Sequence, residues 1–394
     1  FKQKTAYEIS TRDWSSDVCS SDLGNMLRLM EMSLAGFKSI EECGNLRLGS
    51  MNLLIGANGA GKSNFISFLR MLNHAMGGGL GEFVGQAGGA SSLLHFGPKK
   101  TTAIRATLRF HGDDGVTTYR VRWVHGARDS LVFGEESIAF DPAGMARPSA
   151  PRALGAGHRE SALLEEELQV DPVARLVRSA LGGCRVHQFH DTSASAPIRN
   201  RVHLANNRSL NPDGGNLAAV LALMAERNKE HYRRIVSTIR LFAPFFWDFS
   251  LQPLRDNPGQ VLLNWKAKGS EHEFGPHQLS DGTLRMMALT TLLLQPAEDL
   301  PAIVIIDEPE LGLHPHAVIQ LGAMLASAST GRQVIVATQS VQLLNQFEPA
   351  DVVVVEQSNG VSRLARLQEP GLREWLAEYS LGDLWEKNVL GGRP

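Results

Sequence analysis

The sequence predicts an α/β fold: a mixed sheet with flanking helices, an antiparallel β subdomain and a helical insertion. Three segments in a fixed order predict it. Gly56-Ala57-Asn58-Gly59-Ala60-Gly61-Lys62-Ser63 follows the apolar run Met51 to Ile55. Leu279-Ser280-Asp281-Gly282-Thr283 opens an apolar helical pattern, and Ile303-Val304-Ile305-Ile306-Asp307-Glu308 is an apolar strand pattern ending on two carboxylates.

The first element is not counted as structure. Residues Phe1 to Leu23 look like translated sequencing adaptor, so 1–25 is set aside as foreign, with a native start expected at Met26 or, failing that, Met30. From Leu27 to Ile55 short β-like runs are broken by glycine turns, and the last of them leads straight into the glycine-rich loop. Asn64 to His74 reads as a helix, because Phe65, Phe68, Leu69 and Leu72 share one face. Gly77 to Gly89 is rich enough in glycine to be expected as a mobile loop. Three alternating runs follow (AIRATLRF, TYRVRWV, LVFGEESIAF), as antiparallel strands with one wet face do. They close an N-terminal core part over 26–140.

Residues 141–260 are expected to be an insertion. Their first half carries Pro, Ser, Gly and Arg without a period, so it reads as loops and short helices, and Asn216 to Leu241 reads as a helix. The best coiled-coil candidate, Glu160 to Leu181, is broken by Pro172, which excludes a long coiled-coil arm here. Residues 261–394 then alternate helix and strand: Thr283 to Leu294, Ala302 to Ile306, Pro315 to Ala328, Gln333 to Thr338 and Asp351 to Glu356. That order predicts a mainly parallel sheet that completes the core.

Composition excludes several classes. The 394 residues carry 39 basic and 41 acidic side chains, and setting the leader aside leaves the balance near neutral, so any nucleic-acid contact must come from a local patch. Cys43 and Cys184 form no C-x-x-C pair, which fits a reduced, cytoplasmic protein without structural zinc. No apolar run approaches the ~20 residues that cross a bilayer, so no membrane contact is expected.

The chemistry sits in the motifs. A G-x-x-x-x-G-K-S loop between strand and helix wraps backbone N–H groups around a phosphate, so Gly56, Ala57, Asn58, Gly59, Ala60, Gly61, Lys62, Ser63 and the adjoining Asn64 are the candidate ATP-binding residues. Lys62 would reach the β and γ oxygens, while Ser63 and Asp307 would hold Mg²⁺. Glu308 is placed to orient or deprotonate the attacking water. Pro315 suits the first turn of the next helix. His187-Gln188-Phe189-His190-Asp191 reads as ordinary hydrogen-bonded residues rather than a metal site. Arg199, Arg201, Arg208, Arg227, Lys229, Arg233, Arg234 and Arg240 allow a DNA-backbone surface, although Glu226 and Glu230 favour a solvated helix face. Phe242 to Trp247 reads as a plug between lobes or a partner contact.

The phrase GFKSIEECGNLRLGSMNLLIGANGAGKSN, the wide separation of the loop from IIDEPELGLHP, and a following strand ending in Thr338-Gln339-Ser340 resemble the RecF/SMC-like AAA family ATPases of the ATP-binding-cassette class. The resemblance runs from about Leu27 to Pro394. It implies a P-loop NTPase of the ABC/RecF type with ATP and Mg²⁺ as ligands. It also implies an ATP-dependent homodimer in DNA repair or anti-phage defence, acting with DNA or a separate nuclease subunit. In such dimers the signature loop of one subunit closes on the nucleotide of the other, a role that falls here to Ser280 and Gly282. Leu279 to Thr283 departs from the usual L-S-G-G-Q, and its plain reading is an N-cap and turn. Gln339 stands where many relatives have a switch histidine, so hydrolysis is expected to be slow, with a slow or non-hydrolysing ATP-gated switch for an effector as the alternative. A lobe-linking glutamine is also implied, for which Gln86 and Gln188 are both candidates.

Overall fold

A computed structural model describes residues 27–144, 148–368 and 371–393; the adaptor-like leader lies outside the described residues. Two six-stranded sheets carry the architecture. The first is antiparallel throughout, in the order β2 (Ile40–Arg47), β1 (Arg28–Phe37), β4 (Ala103–Gly112), β5 (Gly115–Gly126), β6 (Ser130–Pro142), β7 (Arg152–Gly155). The second runs β17 (Val361–Arg366), β16 (Val352–Ser358), β3 (Met51–Ile55), β15 (Gln333–Thr338), β14 (Ile303–Asp307), β8 (Cys184–His187), parallel except for β17. A small antiparallel sheet of β10 (Phe246–Ser250), β12 (Asn264–Ala267) and β13 (Glu273–Phe274) and a two-strand ribbon, β9 (Val202–His203) with β11 (Gln260–Val261), complete the β-structure.

Six longer helices are α1 (Lys62–Met76), α2 (Pro172–Gly182), α3 (Leu217–Arg227), α4 (Lys229–Phe242), α5 (Asp281–Leu294) and α6 (Pro315–Gly331). Each fits its sequence. The apolar stripe of α1 is Phe65, Phe68, Leu69 and Leu72, all buried. Pro172 and Pro315 occupy first-turn positions where no N–H is missed, after Asp171, which caps Ala174, and after His314. Asn228 separates α3 from α4, so the expected single helix from 216 to 241 is two.

The parallel strands are buried on both sides, as their unbroken Val/Ile runs require. Leu54, Ile303, Ile305, Ile335 and Val353 face one core, shared with α1, α2 and the inner face of the antiparallel sheet. Leu53, Ile55, Val304, Ile306 and Val334 face the other, shared with α3, α4, α5 and α6. Buried Gln333 ties the sheets together, donating to the Leu29 and Gly49 carbonyls and accepting from Leu29 N. Two further expectations change. Cys184–His187, inside the stretch expected to be loops and short helices, is a strand of the core sheet. The glycine-rich 77–89 segment contains a helix, Leu80–Gln86.

Candidate functional site

Register gathers the motifs at one edge of the parallel sheet. Ile55 lies opposite Thr338, Ala337 opposite Asp307, and Ile306 opposite His187. The loops that follow β3, β15, β14 and β8 therefore emerge side by side, and the glycine-rich loop, Gln339, Glu308 and Gln188 meet there.

The glycine-rich loop is held open from outside. Ser362 Oγ on β17 donates to the Ala60 carbonyl at 2.6 Å and shares a hydrogen bond with Ser39 Oγ at 2.7 Å, and Asn64 donates to Ser39 at 2.6 Å. Gly61 has φ 114°, and a β-carbon there would collide with the Ser362 hydroxyl, so only glycine fits. Lys62 is 5% exposed and its Nζ donates to the carbonyls of Gly56 (2.6 Å) and Ala57 (3.1 Å). Burial lowers its pKa, and Glu308, Asp307 and Glu310 pull it back up. Ser63 is exposed at the start of α1.

Three carboxylates face this lysine. Asp307 is buried; Gln188 donates to its Oδ2 at 2.8 Å, whereas Oδ1 has no hydrogen-bond partner among the described residues. Burial raises the Asp307 pKa, and the Gln188 hydrogen bond opposes this. Glu308 has φ 45°, a strained conformation for a residue with a β-carbon, of the kind that clusters at functional sites. Its Oε1 accepts from Gln339 Nε2 at 2.5 Å. Glu310, which the sequence did not mark as functional, accepts from Thr338 Oγ1 (2.6 Å) and Gln339 N (3.0 Å) on one oxygen, and its other oxygen has no hydrogen-bond partner among the described residues. Burial raises its pKa as well. The donor set fits a hard divalent cation: a buried carboxylate with a free oxygen, and a hydroxyl at the loop.

The two glutamine candidates separate cleanly. Gln188 accepts from Arg70 at 2.9 Å while donating to Asp307, so it bridges α1, β8 and β14. Gln86 is exposed and donates to Glu82 on its own helix. His190 Nε2 lies 2.9 Å from the Asp307 carbonyl, whereas His187 is buried and its pKa is lowered to about 4 by burial. Among the described residues no cluster of three His, Cys, Asp or Glu side chains is arranged to hold a metal.

Ser280 caps α5 by accepting from Thr283 N at 3.2 Å, so the N-cap reading of this segment is correct as local structure. Ser280 is exposed. A β-carbon at Gly282 would press on the Gly312 carbonyl, which puts the loop after β14 directly against the start of α5. From α5, Arg285 reaches back to the carbonyls of Phe189 (3.1 Å), His190 (2.8 Å) and Leu311 (2.8 Å). Arg199 is not on a helix surface. It is 5% exposed and sits beneath the 276–281 loop. Of the other basic residues, Arg201 pairs with Asp256, and Arg240 stacks on Trp247 at 4.4 Å. Phe246 is buried, while Phe245 and Trp247 are about half exposed.

The architecture defines the class: a P-loop NTPase fold of ABC type. Comparison with known proteins agrees. Residues 226–345, which span α5, β14 and β15, match the family model described as "AAA domain, putative AbiEii toxin, Type IV TA system". Two solved structures share the fold. An SMC head bound to the C-terminal winged-helix domain of ScpA aligns with a TM-score of 0.58 at 17% identity, over 88% of this chain and 99% of that one. The Smc head domain with an extended coiled coil, bound to the C-terminal domain of ScpA, from Pyrococcus furiosus, gives 0.57 at 16%, over 90% and 99%. No curated protein matches the sequence.

Proposed function

We propose that this chain is an Mg²⁺-dependent ATPase that closes into a homodimer on binding ATP. The observation that carries the reading is the convergence of Lys62, Asp307, Glu308 and Gln339 on one sheet edge, with Gln188 hydrogen-bonded to the Asp307 carboxylate. Phosphate oxygens would replace the Gly56 and Ala57 carbonyls as acceptors for Lys62, giving this buried cation a counter-charge. Mg²⁺, when bound, neutralises charge that develops on the phosphate oxygens. Ser63 and Asp307 would hold it, and Gln188 fixes the orientation of the aspartate from behind. Glu308 would take a proton from water at Oε2, since Oε1 is engaged by Gln339. Glu310 anchors the backbone of Gln339 and so sets where that side chain points. Ser280, exposed at the start of α5, and the half-buried Gly282 would reach the nucleotide of a second copy.

A slow, switch-like turnover is favoured by one specific contact, the Gln339–Glu308 hydrogen bond, which occupies one oxygen of the base. Action in DNA repair or anti-phage defence, with DNA or a nuclease subunit, rests on the family resemblance. The SMC heads of the same fold hold a domain of ScpA, and a protein partner is proposed here too.

The test is light scattering on Glu308→Gln with and without MgATP. A dimer that forms only with MgATP is the expected result. A monomer with nucleotide demonstrably bound would rule out the composite site.

A further inference from the structure

The segment that departs most from the usual signature is Asp281, where the motif ordinarily has glycine, and the departure has a partner. Arg199 lies in the single 3₁₀ turn Pro197–Arg199, far from α5 in sequence, with its side chain 6% exposed against 63% for Asp281. Its donors are all committed. Nε donates to the Thr192 carbonyl at 2.8 Å, NH1 to the carbonyls of Pro276 and Leu279, and NH2 to Leu279 at 3.3 Å and to Asp281 Oδ1 at 2.8 Å. One planar guanidinium thus ties together three parts of the 276–281 loop and the segment that follows β8.

We infer that Arg199 and Asp281 form a positioning pair that sets the Ser280–Gly282 loop in the orientation that engages the nucleotide of the second subunit. A guanidinium buried this deeply needs a counter-ion, and with glycine at 281 the loop would offer it only carbonyls. Asp281 would also suit the first turn of α5 through the helix dipole, but that role needs no buried arginine. The Thr192 end matters equally. Arg285 NH2 reaches Thr192 Oγ1 at 3.3 Å and the His190 carbonyl at 2.8 Å, and His190 Nε2 meets the Asp307 carbonyl at 2.9 Å. A shift at Asp307 on nucleotide binding therefore has a continuous hydrogen-bonded route, through His190, Arg285, Thr192 and Arg199, to the loop that serves the other site. Lysine cannot replace Arg199 here, because three donors on a flexible stem do not span these acceptors.

The inference rests on the composite-site reading, so the experiment separates the two. Lys62→Ala subunits are mixed with Ser280→Arg subunits as the control, and separately with Arg199→Met and with Asp281→Gly subunits, and ATP turnover is followed. Alone, Arg199→Met and Asp281→Gly are each expected to lose at least about 10-fold in turnover, within the usual range of coupling between sites, while binding a fluorescent ATP analogue as the wild type does. Mixed with Lys62→Ala, each should recover one working site per heterodimer, because the Lys62→Ala partner supplies an intact loop. A fold defect would not be rescued in this way. Wild-type turnover by either single variant overturns the pair, and so does an Arg199→Met mixture that stays at background while the control recovers. A control at background overturns the composite site and the inference with it. If Arg199→Met is insoluble, Arg199→Lys takes its place with the same expected outcomes.

Discussion

The Gln339 side-chain amide donates to Glu308 Oε1 at 2.5 Å, bridging the ends of two neighbouring strands, β15 and β14. That contact takes up one of the two oxygens with which Glu308 could accept a proton from water. An imidazole at the same place can accept as well as donate, and can carry a proton. Gln339→His is therefore expected to raise the single-turnover rate by roughly 10-fold or more. An unchanged or lower rate would mean that Gln339 itself positions the water.

Gln188 donates to Asp307 Oδ2, on the carboxylate proposed to hold Mg²⁺. Gln188→Ala should raise the Mg²⁺ concentration for half-maximal turnover by about 10- to 100-fold, with nucleotide affinity in EDTA unaltered. A Mg²⁺ titration of both proteins decides this.

His187 gives a stability signature that is independent of activity. Burial lowers its pKa from 6.5 to about 4, so the folded state holds it neutral while the unfolded chain takes up a proton below 6.5. Its contribution is present above 6.5 and is lost as pH falls through about 4. Stability against thermal unfolding should therefore fall by about 2 kcal/mol between pH 7 and 5, and His187→Leu should flatten that dependence. Identical pH profiles would remove His187 as the cause.

Asp307 and Glu310 carry the opposite sign. Burial raises both pKa values, so the stability they contribute is complete below the ordinary carboxylate range and is lost as pH rises through the raised values. Asp307 is buried and Glu310 half-buried. Asp307→Asn should stabilise the nucleotide-free protein by about 1 kcal/mol, seen as a rise of a few degrees in Tm, and abolish Mg²⁺-dependent turnover. A lower Tm would mean that the Gln188 hydrogen bond outweighs the burial.

Much of this site was legible because its motifs are local. Strand, glycine loop and helix are contiguous from Met51 to His74, and four apolar residues deliver Asp307 to a strand end. The remainder depends on pairings that no period announces. Cys184–His187 is too short to show alternation, so neither β8 nor the place of Gln188 beside Asp307 could be read in advance. Arg199 resembled its exposed basic neighbours, and its acceptors are mostly backbone carbonyls some 80 residues away, which carry no residue-type signal. Arg285 hid in an apolar helix for the same reason. Glu310 drew no reading of its own, because its bonds to Thr338 and Gln339 exist only once β14 and β15 lie side by side.

The strand that leads into the phosphate loop, β3, has β15 on one side and β16 on the other, both from the last third of the chain. During synthesis, β3 and its loop therefore wait without a sheet partner until residues 333–338 have left the ribosome, and without the second until residues beyond 350 have, an arrangement that slows folding and leaves apolar surface open to aggregation. The stretch 226–345 that carries the family match is accordingly no folding unit, since it holds β14 and β15 without the strand that should lie against β15. An excised fragment with those bounds should come out of cells insoluble, whereas co-expression with a fragment supplying β3 offers it the missing edge.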